Sequence, residues 1–283
     1  MRLSPIIEID ELLKIYKSSN VMIFDVSNSK NAKKNYETEH IEGAFFVDLN
    51  TQLADIKTDF SEGGRHPLPK VKNFARTLTE LGVSKDKHIV IYDDKNNSNA
   101  SARFWWMLKS AGHEKVQVLN GGLHQAKNNN FPLSSKIELV QTLSEPYQID
   151  HWNLPTIEID EVESVSQNPK YLVIDVRDKQ RYDGIAEPID LIAGHIPGAV
   201  NIPFTENLDQ NGLFLKPSEL KNKYETIFGG IHTENIIVHC GSGVTACHTL
   251  LALTYAEMGT PKLYVGSWSE WSRNNKKINT TNT

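Results

Sequence analysis

Short, nearly continuous apolar runs punctuate the chain, among them "VMIFDV" (21–26), "HIVIYD" (88–93), "YLVIDV" (171–176), "AVNIPF" (199–204) and "NIIVH" (235–239). Runs of this length without alternation predict strands covered on both faces. Between them lie longer stretches with helical spacing, including "SARFWWMLKSAGH" (101–113) and "TACHTLLALTYAEMG" (245–259), each directly after a strand-like run. Strands alternating with helices predict an α/β fold with mainly parallel sheets flanked by helices.

The pattern occurs twice. Asp25 and Asp175 close matching strands 150 residues apart, and "HIEGAFFVDL" from His40 matches "HIPGAVNIPF" from His195. "HIVIYD" ending at Asp93 matches "NIIVHC" ending at Cys240, and "VQVLNGGLHQAK" matches "KLYVGSWSEWSR", a strand, a glycine and a helix start. Because order is kept throughout, the chain divides into an N-terminal domain at 1–132 and a C-terminal domain at 156–283. The polar, proline-interrupted stretch at 133–155 is expected to be a linker. The final "NNKKINTTNT" has little apolar content and is expected to be a loose tail.

Composition narrows the function classes. The 283 residues are 39% hydrophobic and 23% charged, with a net charge of −5. That leaves no basic stripe for nucleic acid and no polybasic segment for a membrane surface. The N-terminus carries acids and lysines too early for a secretory core, and no apolar run reaches the roughly 18 residues of a membrane span, so a cytoplasmic location is expected. Two cysteines, Cys240 and Cys247, make no disulfide framework.

Cys240 ends a predicted strand, where ligands bind in open α/β sheets. The loop after it, Gly241, Ser242, Gly243, Val244 and Thr245, leads into a predicted helix. Its glycines allow a tight curl, and the loop amides and the positive helix end converge on the sulfur, conditions that favour a thiolate nucleophile. A small buried core cysteine is the other reading, and composition alone does not separate the two. The repeat does: the first copy has Asp93 at this point and no glycines in "DDKNNSNAS". Ser242 and Thr245 can bond a substrate or cap the helix. Cys247, seven residues on, is expected about 10 Å away and in the core. His239, Cys240, Cys247 and His248 fit no common zinc spacing, so no metal is expected.

"CGSGVTAC" after a strand, with "HIPGAVNIPF", "GSWSEW", "FWWMLKSAGH" and the duplication, closely resembles the rhodanese-type sulfurtransferases, and the loop is most similar to that of the 3-mercaptopyruvate enzymes. The resemblance spans nearly the whole chain. It implies two rhodanese-like domains, an inactive first and a catalytic second, with the active site near their interface. It also implies a Cys240 persulfide cradled by Gly241 to Thr245, a small-molecule donor (3-mercaptopyruvate or thiosulfate), and a thiol, thioredoxin-like protein or cyanide as acceptor, with ping-pong kinetics and no cofactor. Arg181 in "RDKQRYDG" matches the arginine that grips the donor's anionic end; an exposed helix position is its other reading. The family's second arginine falls at Ile189. Arg65 and His66 in "GGRHPLP" are candidate substitutes, or they only shape a proline turn. The acidic partner of His66 falls at Asn50, with Asp48 close by, so a full Ser-His-Asp relay is not expected. Asp175 reads as structural, and Trp268 and Trp271 as wall and packing residues.

The uncharged Gly241-Ser242 pair favours mercaptopyruvate, and the missing second arginine favours thiosulfate. A cysteine phosphatase would need arginine six residues after the cysteine, where Ala246 stands. A binding module without catalysis suits the first half better than the second.

Overall fold

The computed structural model describes residues 3–97 and 100–281. It resolves into two compact units. The first comprises residues 1–54, 69–153 and 210–214; the second comprises 55–68, 154–209 and 215–283.

In the first unit five parallel strands lie in the order Ile6–Ile7, Val116–Leu119, His88–Tyr92, Val21–Asp25, Ala44–Phe46. The second repeats that order with Thr156–Ile157, Lys262–Tyr264, Ile236–His239, Leu172–Asp175 and Val200–Asn201, again all parallel. Strand Ile236–His239 is central and wholly buried, which is why its sequence shows no alternation. A two-stranded antiparallel pair, His40–Ile41 with Leu133–Ser134, completes the first unit.

Matching residues fill matching cores. Ile23, Ile41, Ala44 and Val90 pack in the first unit, and Val173, Ile196, Ala199 and Ile237 in the second. The repeated histidine has one job in both: His40 stacks on Tyr36 and His195 on Tyr182, and each Nδ1 lies on the carbonyl of its tyrosine, at 2.6 and 2.8 Å. Each tyrosine hydroxyl in turn donates across the turn, to the carbonyl of Ala44 or Ala199. The glycine two residues past the isoleucine permits that turn. At Gly198 φ is +84°, and a Cβ would run into the Ser166 carbonyl.

Two expectations are corrected. The C-terminus is docked through Thr281: Asn279 and His195 exchange backbone hydrogen bonds, and the Thr281 amide donates to the Asp183 carbonyl at 3.2 Å. Ile278 packs against the second core, so one apolar residue and a backbone ladder suffice to hold a segment whose composition is polar. The stretch expected to be a linker packs against the first unit as far as Asn153. There Leu133–Ser134 forms a strand, Tyr147 is buried, and Trp152 lies 5.2 Å from Phe74 between ring centres. The repeat also takes in "PIIEIDELL" (5–13) and "PTIEIDEVE" (155–163), each a two-residue strand and the start of a helix. Among the described residues no helix is long and apolar enough to cross a membrane.

Trp271 is 1% exposed in the second core, and its Nε1 donates to the Lys277 carbonyl at 2.9 Å. Trp271→Ala should therefore cost on the order of 3–5 kcal/mol, read as a lowered urea midpoint; an unchanged midpoint would show that the docked C-terminus does not depend on this ring.

Candidate functional site

Strand Ile236–His239 ends at Cys240, and helix Ala246–Tyr255 begins after Thr245. The five residues between make a loop bound on its outer side to the segment Ser267–Trp271. The carbonyls of Cys240 and Gly241 accept from the amides of Trp268 (3.0 Å) and Ser269 (2.8 Å), and the Cys240 amide donates to Ser267 Oγ at 3.2 Å. Ser267 Oγ donates onward to the Tyr264 carbonyl. Gly243 has φ +70°, and a Cβ there would stand 3.0 Å from Val265 Cα, so a side chain would be strained in backbone and space alike. The loop is thus pinned at the positive end of a ten-residue helix.

Cys240 is 3% exposed and Cys247 fully buried; neither is in a disulfide. Cys247 Sγ lies 3.4 Å from the Gly243 carbonyl one helical turn back, a core position supporting the loop. Ser242 Oγ lies 2.8 Å from His66 Nδ1. Thr245 makes no side-chain cap.

The structure brings Arg65 and Arg181 together beside Cys240. Arg181 sits on the short helix Lys179–Tyr182, whose Asp178 caps the Arg181 amide. It is 9% exposed, which sets aside the reading as a surface residue. Its Nε donates to both oxygens of Glu187 at 3.0 Å and its Nη2 to Asp190 Oδ2 at 3.0 Å. Arg65 belongs to the stretch Asp55–Leu68 of the same unit. Its amide donates to Ser269 Oγ at 3.0 Å, and its Nη1 bonds Asp190 Oδ1. A Cβ built on Gly241 would stand 3.1 Å from Arg65 Nη2 and 3.3 Å from Arg181 Nη2. Two guanidinium edges therefore face the residue next to the thiol.

Behind them lies a buried ionic network. Arg177 grips Asp175 through Nε (3.0 Å) and Nη2 (2.5 Å), reaches Glu187 at 3.3 Å, and lies 4.5 Å over the Trp268 ring. Arg273 reaches Asp190 at 3.4 Å and the Ser269 carbonyl at 2.8 Å. Burial pushes the Asp175 carboxyl up, but the charge of Arg177, with the bonds from its guanidinium and amide, outweighs it and leaves the group below the usual carboxylate range. Burial likewise works on Glu187 and is outweighed by its bond from Arg181 and the amides of Asp190 and Ile189. Burial holds His239 below its ordinary value, against the pull of Asp175. Four arginines meet three carboxylates here, so these arginine and carboxylate side chains carry one positive charge in excess, suited to an anionic ligand.

Several of these residues went unread in the sequence: Glu187, Asp190, Ser267, Ser269, Glu270 and Arg273. Glu187 and Asp190 flank Ile189, which stands where the family's second arginine falls; Ile189 is exposed, and its amide donates to Glu187. Asp48 caps the helix Leu49–Gln52 by accepting from the Thr51 amide at 2.8 Å. Asp175 is structural, fully buried under Arg177. In the first unit Asp93 stands where Cys240 does, and its carboxylate fills its own loop, accepting from the amides of Lys95 (2.8 Å) and Asn97 (2.9 Å) and from Ser101 Oγ (2.7 Å). Among the described residues no group of three or more His, Cys, Asp or Glu side chains is arranged to hold a metal.

The second unit is thus an α/β domain whose parallel sheet carries a cysteine loop at the end of its central strand, with two arginines beside it. More narrowly, the chain belongs to the rhodanese-like family: the Rhodanese-like domain model matches residues 8–129 and 158–274. It is 38% identical over 238 residues to a probable 3-mercaptopyruvate sulfurtransferase of Pseudomonas aeruginosa, covering 83% of this chain and 82% of that one. It is 37% identical to the 3-mercaptopyruvate sulfurtransferase of Mus musculus, covering 86% and 80%. Among solved structures it is similar to SseA of Escherichia coli, described as a 3-mercaptopyruvate sulfotransferase, with TM-score 0.77 and 31% identity over 95% of this chain and all of that one.

Glu270 ties the 55–68 stretch to this site by accepting from the Gly63 amide at 2.8 Å and from the Tyr264 hydroxyl at 2.8 Å. Burial pushes its carboxyl above the usual range despite those bonds. The stability linked to the protonated form is complete at acid pH and is lost as pH rises from the unfolded value through the folded one. Glu270→Gln keeps both partners satisfiable and does not ionise. The urea midpoint of this variant, relative to the native chain, should rise between pH 4 and pH 7; a constant or falling difference would contradict the burial argument.

Proposed function

We propose that this chain is a sulfurtransferase that moves sulfane sulfur from 3-mercaptopyruvate through a persulfide on Cys240 to a thiol or cyanide acceptor. The observation that carries the reading is the convergence of Arg65 and Arg181 on Gly241, next to a thiol in a glycine loop at a helix start. In this reading the two guanidiniums hold the donor carboxylate and carbonyl oxygen, which points the donor sulfur at Cys240. Arg65 takes the part that Ile189 cannot, and the first unit, with Asp93 filling its own loop, is not catalytic.

The Cys240 thiolate attacks the donor sulfur. A sulfur–sulfur bond forms, and the carbon–sulfur bond breaks with its electron pair going to carbon as the enolate of pyruvate. The proton lost by the donor thiol is returned to that carbon, and the hydrogen-bonded pair Ser242 and His66 is positioned to carry it. The products are pyruvate and a Cys240 persulfide, which the loop amides from Gly241 to Thr245 cradle. An acceptor thiol, small or on a thioredoxin-like protein, or cyanide then attacks the outer sulfur and restores the Cys240 thiolate. No cofactor takes part.

Thiosulfate is the second donor to consider, because two adjacent guanidiniums also match the oxygens of a sulfonate. The intact mass after brief exposure to each donor decides. With 3-mercaptopyruvate the native chain should gain one sulfur atom and Cys240→Ser none. A gain only from thiosulfate would move the assignment to that donor, and no gain from either would end the sulfurtransferase reading. Arg181→Ala should lower kcat/KM for 3-mercaptopyruvate by about a hundredfold, in keeping with the loss of a charged hydrogen-bonding partner; a loss under threefold would remove Arg181 from donor binding.

A further inference from the structure

The donor arginines do not hold themselves in place. Arg65 comes from a stretch with little regular structure, Arg181 from a four-residue helix and Arg273 from the chain beyond Trp271. All three end on one carboxylate. Asp190 has a side chain with no solvent exposure; its Oδ1 takes Arg65 and, at 3.4 Å, Arg273, while its Oδ2 takes Arg181 at 3.0 Å. Asp190 is itself fixed, because its amide donates to Glu187 Oε1 at 3.0 Å and Glu187 is held by Arg177 and Arg181. Each oxygen thus anchors one donor arginine by a single guanidinium nitrogen, Nη1 of Arg65 and Nη2 of Arg181, and Arg65 Nη2 remains near Gly241.

We propose that Asp190 is the positioning residue of the donor site: one buried carboxylate sets the spacing of the Arg65 and Arg181 guanidiniums beside Cys240 and thereby the affinity for a small anionic donor. This rests on the sulfurtransferase reading above. The physical ground is the freedom of an unheld arginine, whose side chain loses rotamer entropy when ordered; Asp190 meets that cost before the donor arrives, above all for Arg65, since Arg181 is also held by Glu187. The opposite expectation follows from charge alone. Removing Asp190 raises the excess positive charge of the network from one to two, which by itself strengthens attraction for an anion. Positioning and net charge therefore predict opposite signs for one substitution.

The test is the kinetics of Asp190→Asn with 3-mercaptopyruvate, or with thiosulfate if that is the donor that loads Cys240 in the native chain. Positioning predicts a donor KM raised at least tenfold, a kcat within about threefold of native, and an acceptor KM unchanged. An unchanged or lowered donor KM would overturn the proposal, as would an equal loss in kcat, which marks general disruption of the site. Asp190→Glu retains the charge with a carboxylate one methylene further out, and it should also raise the donor KM, by at least threefold. It decides the matter if Asp190→Asn does not fold; failure of both variants to fold would make Asp190 a stability residue and likewise overturn the proposal. Loading of the native chain is measured in the same series, so failure of the sulfurtransferase reading appears there, independently of either variant.

Discussion

The carbonyls of Cys240 and Gly241 are held by the amides at the start of Ser267–Trp271, and much of the second unit's chemistry depends on that attachment. A strand-end loop bonded only to its own helix could move with it. Here the loop is fastened to the neighbouring strand's continuation through two amides and the Ser267 hydroxyl, and Gly243 lies against Val265 backbone too closely for a side chain. The same short segment supplies Ser269 to the Arg65 amide, Glu270 to the Gly63 amide and Trp268 to the face of Arg177. One five-residue helix thereby holds the Cys240 loop, Arg65, Arg177 and the stretch that carries His66.

The electrostatics of the site follow from burial. Arginines buried this deeply require carboxylates, because an uncompensated charge away from water is costly. Asp175, Glu187 and Asp190 answer that need, and the count leaves one positive charge over. The two units illustrate alternative ways to satisfy the same kind of loop. In the first, the Asp93 carboxyl accepts from the loop's own amides and hydroxyl. In the second, a cysteine occupies that position, and the cationic groups gather around it from outside the loop.

The duplicated fold was legible in the sequence because buried parallel strands leave unbroken apolar runs, and the two copies preserve their order. Cys240 and its loop were legible as candidates because a strand-end cysteine followed by glycines is a local pattern, and Arg181, Arg65 and His66 through the resemblance of their segments to the family. The docked C-terminus was not, since its attachment is made by backbone atoms of Asn279 and Thr281, to which composition is blind. The packing of 133–153 against the first unit was hidden for a similar reason: Tyr147 and Trp152 are isolated apolar residues in a polar stretch.

The sequence by itself determined the strand and helix order, the repeat, and which residue types were available for chemistry, because these depend on local periodicity and composition. The tertiary structure alone decided that Arg65 meets Arg181, that Asp190 joins them, and that Ser242 bonds His66 across 176 positions of chain. Such pairings join residues far apart in sequence or anchored on different elements, and charged side chains carry no periodic mark of their partners. Only the folded path of the backbone brings a carboxylate and three guanidiniums to one buried point.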